Sequence, residues 1–141
     1  MTNAMLTGPL LAQVGLTLVV LLWLYAKRIP GMRKYKVHPE ATKKADWADA
    51  MPREIQFPAD NFKNLFELPV AFFALALTAQ AAGLVDDMTV MLAWGFVGLR
   101  AIHSIIQCTY NRVMHRFLVF FTGSIVLMVM FVRVMLAYAA Q

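Results

Sequence analysis

The chain has 141 residues, of which 60% are hydrophobic and only 15% charged, and its mean hydropathy is +0.61. This composition excludes a soluble globular domain, which does not need so much apolar surface, and indicates an integral membrane protein. The formal net charge of +5 comes with no nucleic-acid-binding motif, so we expect contact with anionic membrane lipid and no nucleic acid partner.

Four apolar stretches are long enough to cross about 30 Å of hydrocarbon as helices that rise 1.5 Å per residue. They cover approximately residues 9–26, 65–85, 88–106 and 117–137. Basic residues follow the first stretch rather than precede it, so we interpret it as a retained span and not as a signal peptide. The sequence predicts one all-α domain, 1–141, that forms an integral membrane four-helix bundle.

The connections between these stretches differ in charge. Nine of the thirteen Lys and Arg residues lie in the predicted cytoplasmic loop, 27–63. Arg112 and Arg116 lie between the third and fourth spans, whereas the connection between the second and third carries only Asp86 and Asp87. The positive-inside rule therefore predicts that both termini lie outside the cytoplasm, in a plasma or inner membrane.

Two local interruptions are expected. The segment 41–50 is predicted to form a short interfacial helix within the loop. Pro69 lies inside the second apolar stretch, where its ring removes a backbone donor, so we expect a kink or a free carbonyl there. The short connection 83–87 predicts that the second and third spans are antiparallel neighbours.

Arg100 lies in the middle of the third apolar stretch. A guanidinium at membrane depth costs at least about 2.5 kcal/mol, so it normally has a partner and a task. At 100° per residue, His103, Gln107 and Asn111 share its helical face. The third span therefore carries a polar stripe.

A second polar stripe opens the second span. Asp60, Asn64 and Glu67 fall on one face of a continuous helix. The depths of Glu67 and Arg100 can be compared by counting residues from the connection 83–87. The difference is short enough for an extended Arg100 side chain to reach Glu67. The sequence predicts a Glu67–Arg100 ion pair, within one subunit or across a subunit boundary.

Two interpretations of these stripes remain open. Polar side chains often hold membrane helices together, which is a purely structural role. Alternatively, the stripes form a ligand site, because only Glu67 and Asp60 oppose a larger set of basic side chains near the cytoplasmic mouth. That set is Arg100, His103, Arg112, His115 and Arg116. The surplus favours an anionic ligand, although arginines at this level also contact lipid phosphate.

No spacing of cysteine, histidine and carboxylate residues suits zinc, so no metal site is predicted. Cys108 is the single cysteine, which excludes an intramolecular disulfide. Because no feature that would lower the pKa of its thiol is evident, we expect a small buried thiol rather than a nucleophile.

From Asp60 onward the chain resembles the MAPEG family, the membrane-associated proteins in eicosanoid and glutathione metabolism. The resemblance rests on Asn-Leu-Phe-Glu-Leu-Pro at 64–69, on Arg-Ala-Ile-His at 100–103, and on Arg116, sixteen residues after Arg100. It implies a homotrimer of four-helix subunits. It also implies that glutathione, as a co-substrate, binds between neighbouring subunits near the cytoplasmic face.

The resemblance implies a role for individual residues as well. Arg116 matches an arginine beside the sulfur in the family's transferases and is the implied catalytic residue, because a nearby cation favours the nucleophilic thiolate. The implied glutathione-binding residues are Lys63, Asn64, Glu67, Arg100, His103, Gln107 and Arg112. The implied second substrate is a hydrophobic small molecule that arrives from the bilayer.

Three positions depart from the family's pattern. Asp60 stands where the enzymes commonly carry an arginine that grips glutathione, and Lys63 is a partial replacement. Gln107 stands in place of a tyrosine, and Phe117 in place of a small polar residue. Two functions are therefore carried forward. One is a membrane-bound glutathione-dependent transferase or peroxidase acting on hydrophobic electrophiles, and the other is a non-catalytic membrane scaffold or accessory subunit.

Overall fold

The computed structural model describes residues 6–141, and within that range it contains helices and turns but no strand. The α-helices are α1 (Thr7–Lys34), α2 (Phe57–Asn64), α3 (Leu68–Ala81), α4 (Asp87–Cys108) and α5 (Val113–Ala139). Three short 3-10 helices, Pro39–Lys43, Trp47–Ala50 and Arg53–Ile55, lie between α1 and α2. The all-α prediction is confirmed. The first five residues of the predicted domain, 1–141, lie outside the described residues.

Four helical segments are long and apolar enough to cross a membrane, as the sequence predicts. With 28, 22 and 27 residues, α1, α4 and α5 are each about 33–42 Å long. The 14 residues of α3 give only about 21 Å, which is less than the hydrocarbon thickness. The second crossing therefore needs α2 as well, and the whole segment Arg53–Ala81 forms it.

The second crossing is interrupted just before Pro69. The chain leaves helical geometry at Glu67, where φ is −95° and ψ is −100°. The ring of a proline clashes with the carbonyl four residues earlier, which here belongs to Leu65, so a continuous helix is disfavoured at this point. The predicted kink is thus observed as a full break between α2 and α3.

The polar loop differs from the predicted one at both ends. The helix α1 continues to Lys34, past the predicted end at residue 26, and α2 begins at Phe57. The predicted helix over 41–50 is replaced by two separate 3-10 helices. The end of α1 extends beyond the apolar part of the helix. The loop between α1 and α2 packs against this extension.

This extension consists of the last two turns of α1. A Cβ on Gly31 would lie only 2.9 Å from Cδ1 of Ile55, so the absence of a side chain lets the loop approach closely. The Arg28 guanidinium lies 5.1 Å from the centre of the Trp47 ring and donates to Oε1 of Gln56 at 3.4 Å. The loop is therefore docked along α1.

Two hydrophobic clusters form the core. The larger one joins the start of α1, α3, the first half of α4 and the second half of α5, where Phe72 and Phe96 stack with ring centres 4.7 Å apart. Small residues on the facing helices, Ala76 and Ala93 among them, allow the backbones to approach. The smaller cluster consists of Val20, Leu65 and Cys108.

The connection between α3 and α4 closes the end of the bundle that holds the larger cluster. Asp86 caps α4 by accepting from the backbone N–H of Thr89 at 2.8 Å, and it also pairs with Arg133 of α5. The hydrogen bonds from Thr89, with a further contribution from Arg133, hold the pKa of the Asp86 carboxyl below its ordinary value. One carboxylate thus joins the start of α4 to α5.

Candidate functional site

A cleft of about 250 Å³ lies between the α2–α3 break and the first turns of α5, with α4 behind it. It is lined by Asn64, Glu67, His103, Val113, Arg116, Phe117 and Phe120. Four of these residues were assigned to the site from the sequence: Asn64, Glu67, His103 and Arg116. The fold therefore gathers residues from three separate helical segments at one end of the bundle.

The inner wall of the cleft comes from the polar stripe of α4. Arg100, His103 and Gln107 are each at most 2% exposed, as expected for residues on one buried helical face. Arg100 lies eight residues before the end of α4, or about 12 Å from it. The guanidinium is therefore buried well inside the crossing, as its place in the sequence predicts.

The Arg100 side chain reaches the break in the second crossing. Its Nη2 donates to the backbone carbonyl of Asn64 at 3.2 Å, and its guanidinium carbon lies 5.7 Å from the centre of the Phe120 ring. A cation at the C-terminus of α2 is favourable because backbone carbonyls point outward there. The Nε and Nη1 atoms of Arg100, however, have no hydrogen-bond partner among the described residues.

The neighbouring polar contacts hold the same break. The side-chain Nδ2 of Asn64 donates to Oε1 of Gln107 at 2.9 Å. One turn earlier, Asn61 donates to Sγ of Cys108 at 3.4 Å and accepts from the Ser104 hydroxyl at 3.3 Å. These contacts join α2 to α4 and give Gln107 a structural role. The prediction that Cys108 is a buried thiol is confirmed.

The predicted Glu67–Arg100 ion pair does not form within the described chain, where Arg100 has no carboxylate within 4 Å. The prediction assumed a continuous helix from Asp60 to Glu67. Because the helix is broken at Glu67, this residue does not continue the helical face of Asp60 and Asn64, and it is exposed on the rim of the cleft. Asp60, in turn, pairs with Arg53 at 3.2 Å, so its negative charge is already compensated.

Arg116 occupies the opposite side of the cleft, on the first turn of α5. Its Nη1 donates to Oδ1 of Asn111 at 2.7 Å, and it contacts no carboxylate within 4 Å in residues 6–141. Across the cleft, Nδ1 of the buried His103 has no hydrogen-bond partner in the same range. The site therefore holds cationic and hydrogen-bonding groups that the described chain leaves unused.

Four of the residues assigned from the sequence do not line the cleft: Lys63, Arg100, Gln107 and Arg112. Lys63 and Arg112 are exposed, and each is only adjacent in sequence to a lining residue. Arg100 and Gln107 lie behind the lining residues, and each forms a hydrogen bond with Asn64.

The sequence reasoning missed Val113 and Phe120 in the lining, and the contact that Asn111 makes. Phe120 follows Arg116 by one helical turn, so helical spacing was the available signal.

The walls of the cleft differ in character. Val113, Phe117 and Phe120 give α5 an apolar surface, and Phe117 is 55% exposed. The opposite side carries amide, imidazole and carboxylate groups. No group of three or more metal-binding side chains occurs in the described part of the chain. The arrangement suits a polar anion placed beside an apolar molecule.

Comparison with known proteins gives one match. The family model described as MAPEG family matches residues 6–136 of the 141-residue chain. No curated protein and no solved structure matches. The family match includes every residue that lines the cleft.

Proposed function

The chain belongs to the MAPEG family and is an integral, multi-pass membrane protein, and from this premise we propose that it is a glutathione-dependent transferase or peroxidase. Its substrates would be hydrophobic electrophiles. Glutathione would bind in the cleft between the α2–α3 break and α5. Membership of the family supports a role connected with glutathione or eicosanoid metabolism, and the geometry of the cleft supports this particular reaction.

One observation carries the proposal: the cleft and the wall behind it hold positive and hydrogen-bonding groups that are only partly paired within residues 6–141. Arg116 faces the cleft without a carboxylate partner, and Arg100 and His103 keep buried nitrogen atoms without hydrogen bonds among the described residues. An unsatisfied buried polar group costs about 1–3 kcal/mol, and more when it is charged. A ligand with carboxylates and amides, such as glutathione, would remove part of that cost.

The proposed chemistry follows from the two walls. Arg116 would stabilise the thiolate of glutathione, because a neighbouring cation favours the charged form of a thiol. The sulfur electron pair would form a bond to the electrophilic carbon, the leaving group would depart with the electrons of its bond, and the thiol proton would pass to water. The apolar wall formed by Phe117 and Phe120 would hold the electrophile.

We also propose a homotrimer, with glutathione bound between subunits and both termini outside the cytoplasm of a plasma or inner membrane. The exposed rim residues Glu67 and Phe117 leave the cleft open at the surface of a single subunit, which supports completion by a neighbour. The basic connections and the two acidic residues between α3 and α4 support the orientation.

A non-catalytic scaffold or accessory subunit is the alternative. It is favoured by the contacts that Arg100 and Gln107 make with Asn64, because these hold the break in the second crossing whether or not a ligand is present. In that case the buried polar residues would act only as structural glue.

The test is glutathione binding to the purified protein in detergent, by calorimetry and by the ultraviolet absorbance of bound thiolate. We expect a Kd below the millimolar range and a thiolate fraction at least about tenfold higher in the wild type than in Arg116→Ala. Arg116→Lys should retain part of this difference because it retains the charge.

Arg33→Ala is the matched control, since Arg33 is exposed at the end of α1. It should leave both measurements unchanged. Binding that is only millimolar or absent in the wild type and in Arg116→Ala alike would abandon the proposed reaction in favour of the scaffold.

A further inference from the structure

The turn between α4 and α5 fixes Asn111 against Arg116. The backbone N–H of Asn111 donates to the carbonyl of Ile106 at 2.8 Å, which closes the end of α4. Its φ is +48°, a left-handed conformation that asparagine adopts more readily than most residues. With its backbone held in this way, its Oδ1 accepts from Nη1 of Arg116 at 2.7 Å.

A second contact braces the same turn without touching Arg116. The Tyr110 hydroxyl lies 3.0 Å from Nδ1 of His115, and the two rings meet edge to face with centres 5.7 Å apart. Both side chains are exposed. The turn therefore has two side-chain ties, of which only the one through Asn111 reaches the cleft.

The chemical identity of the tie matters because an amide is neutral. An amide oxygen fixes the position of a guanidinium while leaving its full positive charge available, whereas a carboxylate would pair with it and offset that charge. The other titratable and charged groups around the cleft are Glu67 on the rim and the set formed by Lys63, Arg100, His103, Arg112 and His115. Within residues 6–141, Glu67 is the single carboxylate that lines the cleft.

We infer that Asn111 is a positioning residue, which holds Arg116 at the cleft and leaves its charge free to act on the sulfur of bound glutathione. This inference rests on the proposed function. It adds a requirement that the sequence pattern did not supply: residue 111 must accept a hydrogen bond, tolerate a positive φ and carry no charge.

The test compares two substitutions that both tolerate the backbone conformation. Asn111→Asp keeps the acceptor and adds a negative charge, while Asn111→Gly keeps the conformational freedom and removes the acceptor. Bound thiolate is followed by ultraviolet absorbance across a pH series at saturating glutathione, and thermal stability is measured without ligand. Tyr110→Phe, which removes the other tie, is the matched control.

A purely structural role and the proposed positioning role of Asn111 predict opposite rankings of Asn111→Asp and Asn111→Gly. If Asn111 only stabilises the turn, Asn111→Asp should resemble the wild type and Asn111→Gly should be the more impaired. We expect instead that Asn111→Asp lowers the thiolate fraction about tenfold at a pH below the thiol pKa, more than Asn111→Gly does, while its thermal stability is kept. Tyr110→Phe should leave the thiolate fraction unchanged.

Equal thiolate fractions in Asn111→Asp and the wild type would overturn the inference and leave the proposed function standing. A marked loss of thermal stability in Asn111→Asp would overturn it too, since the carboxylate would then not replace the amide in the turn. A wild type that binds no glutathione thiolate would refute the proposed function, and the role of Asn111 with it.

Discussion

The two halves of the bundle are held together in different ways. In the apolar half, which contains the Phe72–Phe96 stack and ends at the α3–α4 connection, buried side chains of α1, α3, α4 and α5 are packed without polar contacts in the core cluster. In the polar half, which contains Arg100 and the α2–α3 break, side-chain hydrogen bonds join α2 to α4.

This difference links the apolar half to stability and the polar half to ligand binding. Apolar packing in membranes depends on close contact, and the buried residues of the core cluster in the apolar half, which are all apolar, are used for it. In the polar half, several buried nitrogen atoms have no partner within residues 6–141, although hydrogen bonds at this depth are costly to leave unmade. The apolar half also has buried atoms without a partner in this range, Oε1 of Gln80 and Nε of Arg133, but these do not lie at the cleft. In the polar half such atoms lie at the cleft or directly behind it, so a ligand has something to gain there.

The largest effect should come from the apolar half. Phe96→Ala removes a side chain that is 0% exposed and stacked on Phe72, so it leaves a cavity and should lower the free energy of unfolding by about 3 kcal/mol. Reversible unfolding in mixed micelles measures this change. Phe131→Ala is the control, because Phe131 is 50% exposed and should contribute much less. Similar losses in the two variants would show that the apolar half is not packed as described.

The polar half should respond in the opposite way. Arg100→Leu removes a buried guanidinium with two unpaired nitrogen atoms, so the free energy of unfolding should change by no more than about 1 kcal/mol. Glutathione binding should weaken more than about tenfold, because the guanidinium behind the cleft no longer holds Asn64 in place and no longer supplies its positive charge.

Arg133→Leu, which removes an arginine outside the cleft, is the control for glutathione binding and should leave the Kd unchanged. Loss of the oligomer or of folding in Arg100→Leu, measured before any ligand is added, would instead assign Arg100 to structure and favour the scaffold.

The smallest effect should come from the ion pair that closes the apolar half. Asp86→Asn keeps an N-cap acceptor but loses the pair with Arg133, and because both side chains are partly exposed the loss should be at most about 1 kcal/mol at neutral pH. The folded-state pKa of Asp86 is lowered, so the unfolded chain takes up the proton first. The contribution of Asp86 is then present above its ordinary pKa and lost as the pH falls through the lowered one.

Thermal unfolding measured at a series of acidic pH values tests whether the contribution of Asp86 to stability falls as the pH falls. The difference between the wild type and Asp86→Asn should shrink as the pH falls, and the wild type should approach the variant. Asp87→Asn, one residue further into α4, is the control for a carboxylate at the helix start that has no Arg133 partner. A difference that grows in acid would contradict the role given to the Asp86 carboxylate.

The sequence alone determined the class of fold and pointed to part of the lining of the candidate cleft. Hydropathy gave four crossings because each needs a long apolar run, and Arg100 stood out because a cation is costly inside one. Helical spacing placed His103 and Gln107 on its face, and all three are buried together. The family resemblance is confirmed by the match over residues 6–136.

Tertiary structure decided what the polar residues contact. The break before Pro69 ends the single helical face on which the Glu67–Arg100 pair depended, so Arg100 binds the carbonyl of Asn64 instead. The tie between Asn111 and Arg116 depends on a left-handed turn between two helices, which helical periodicity does not describe. Local patterns determine which face a side chain occupies, whereas its partner depends on where separate helices end and how they meet.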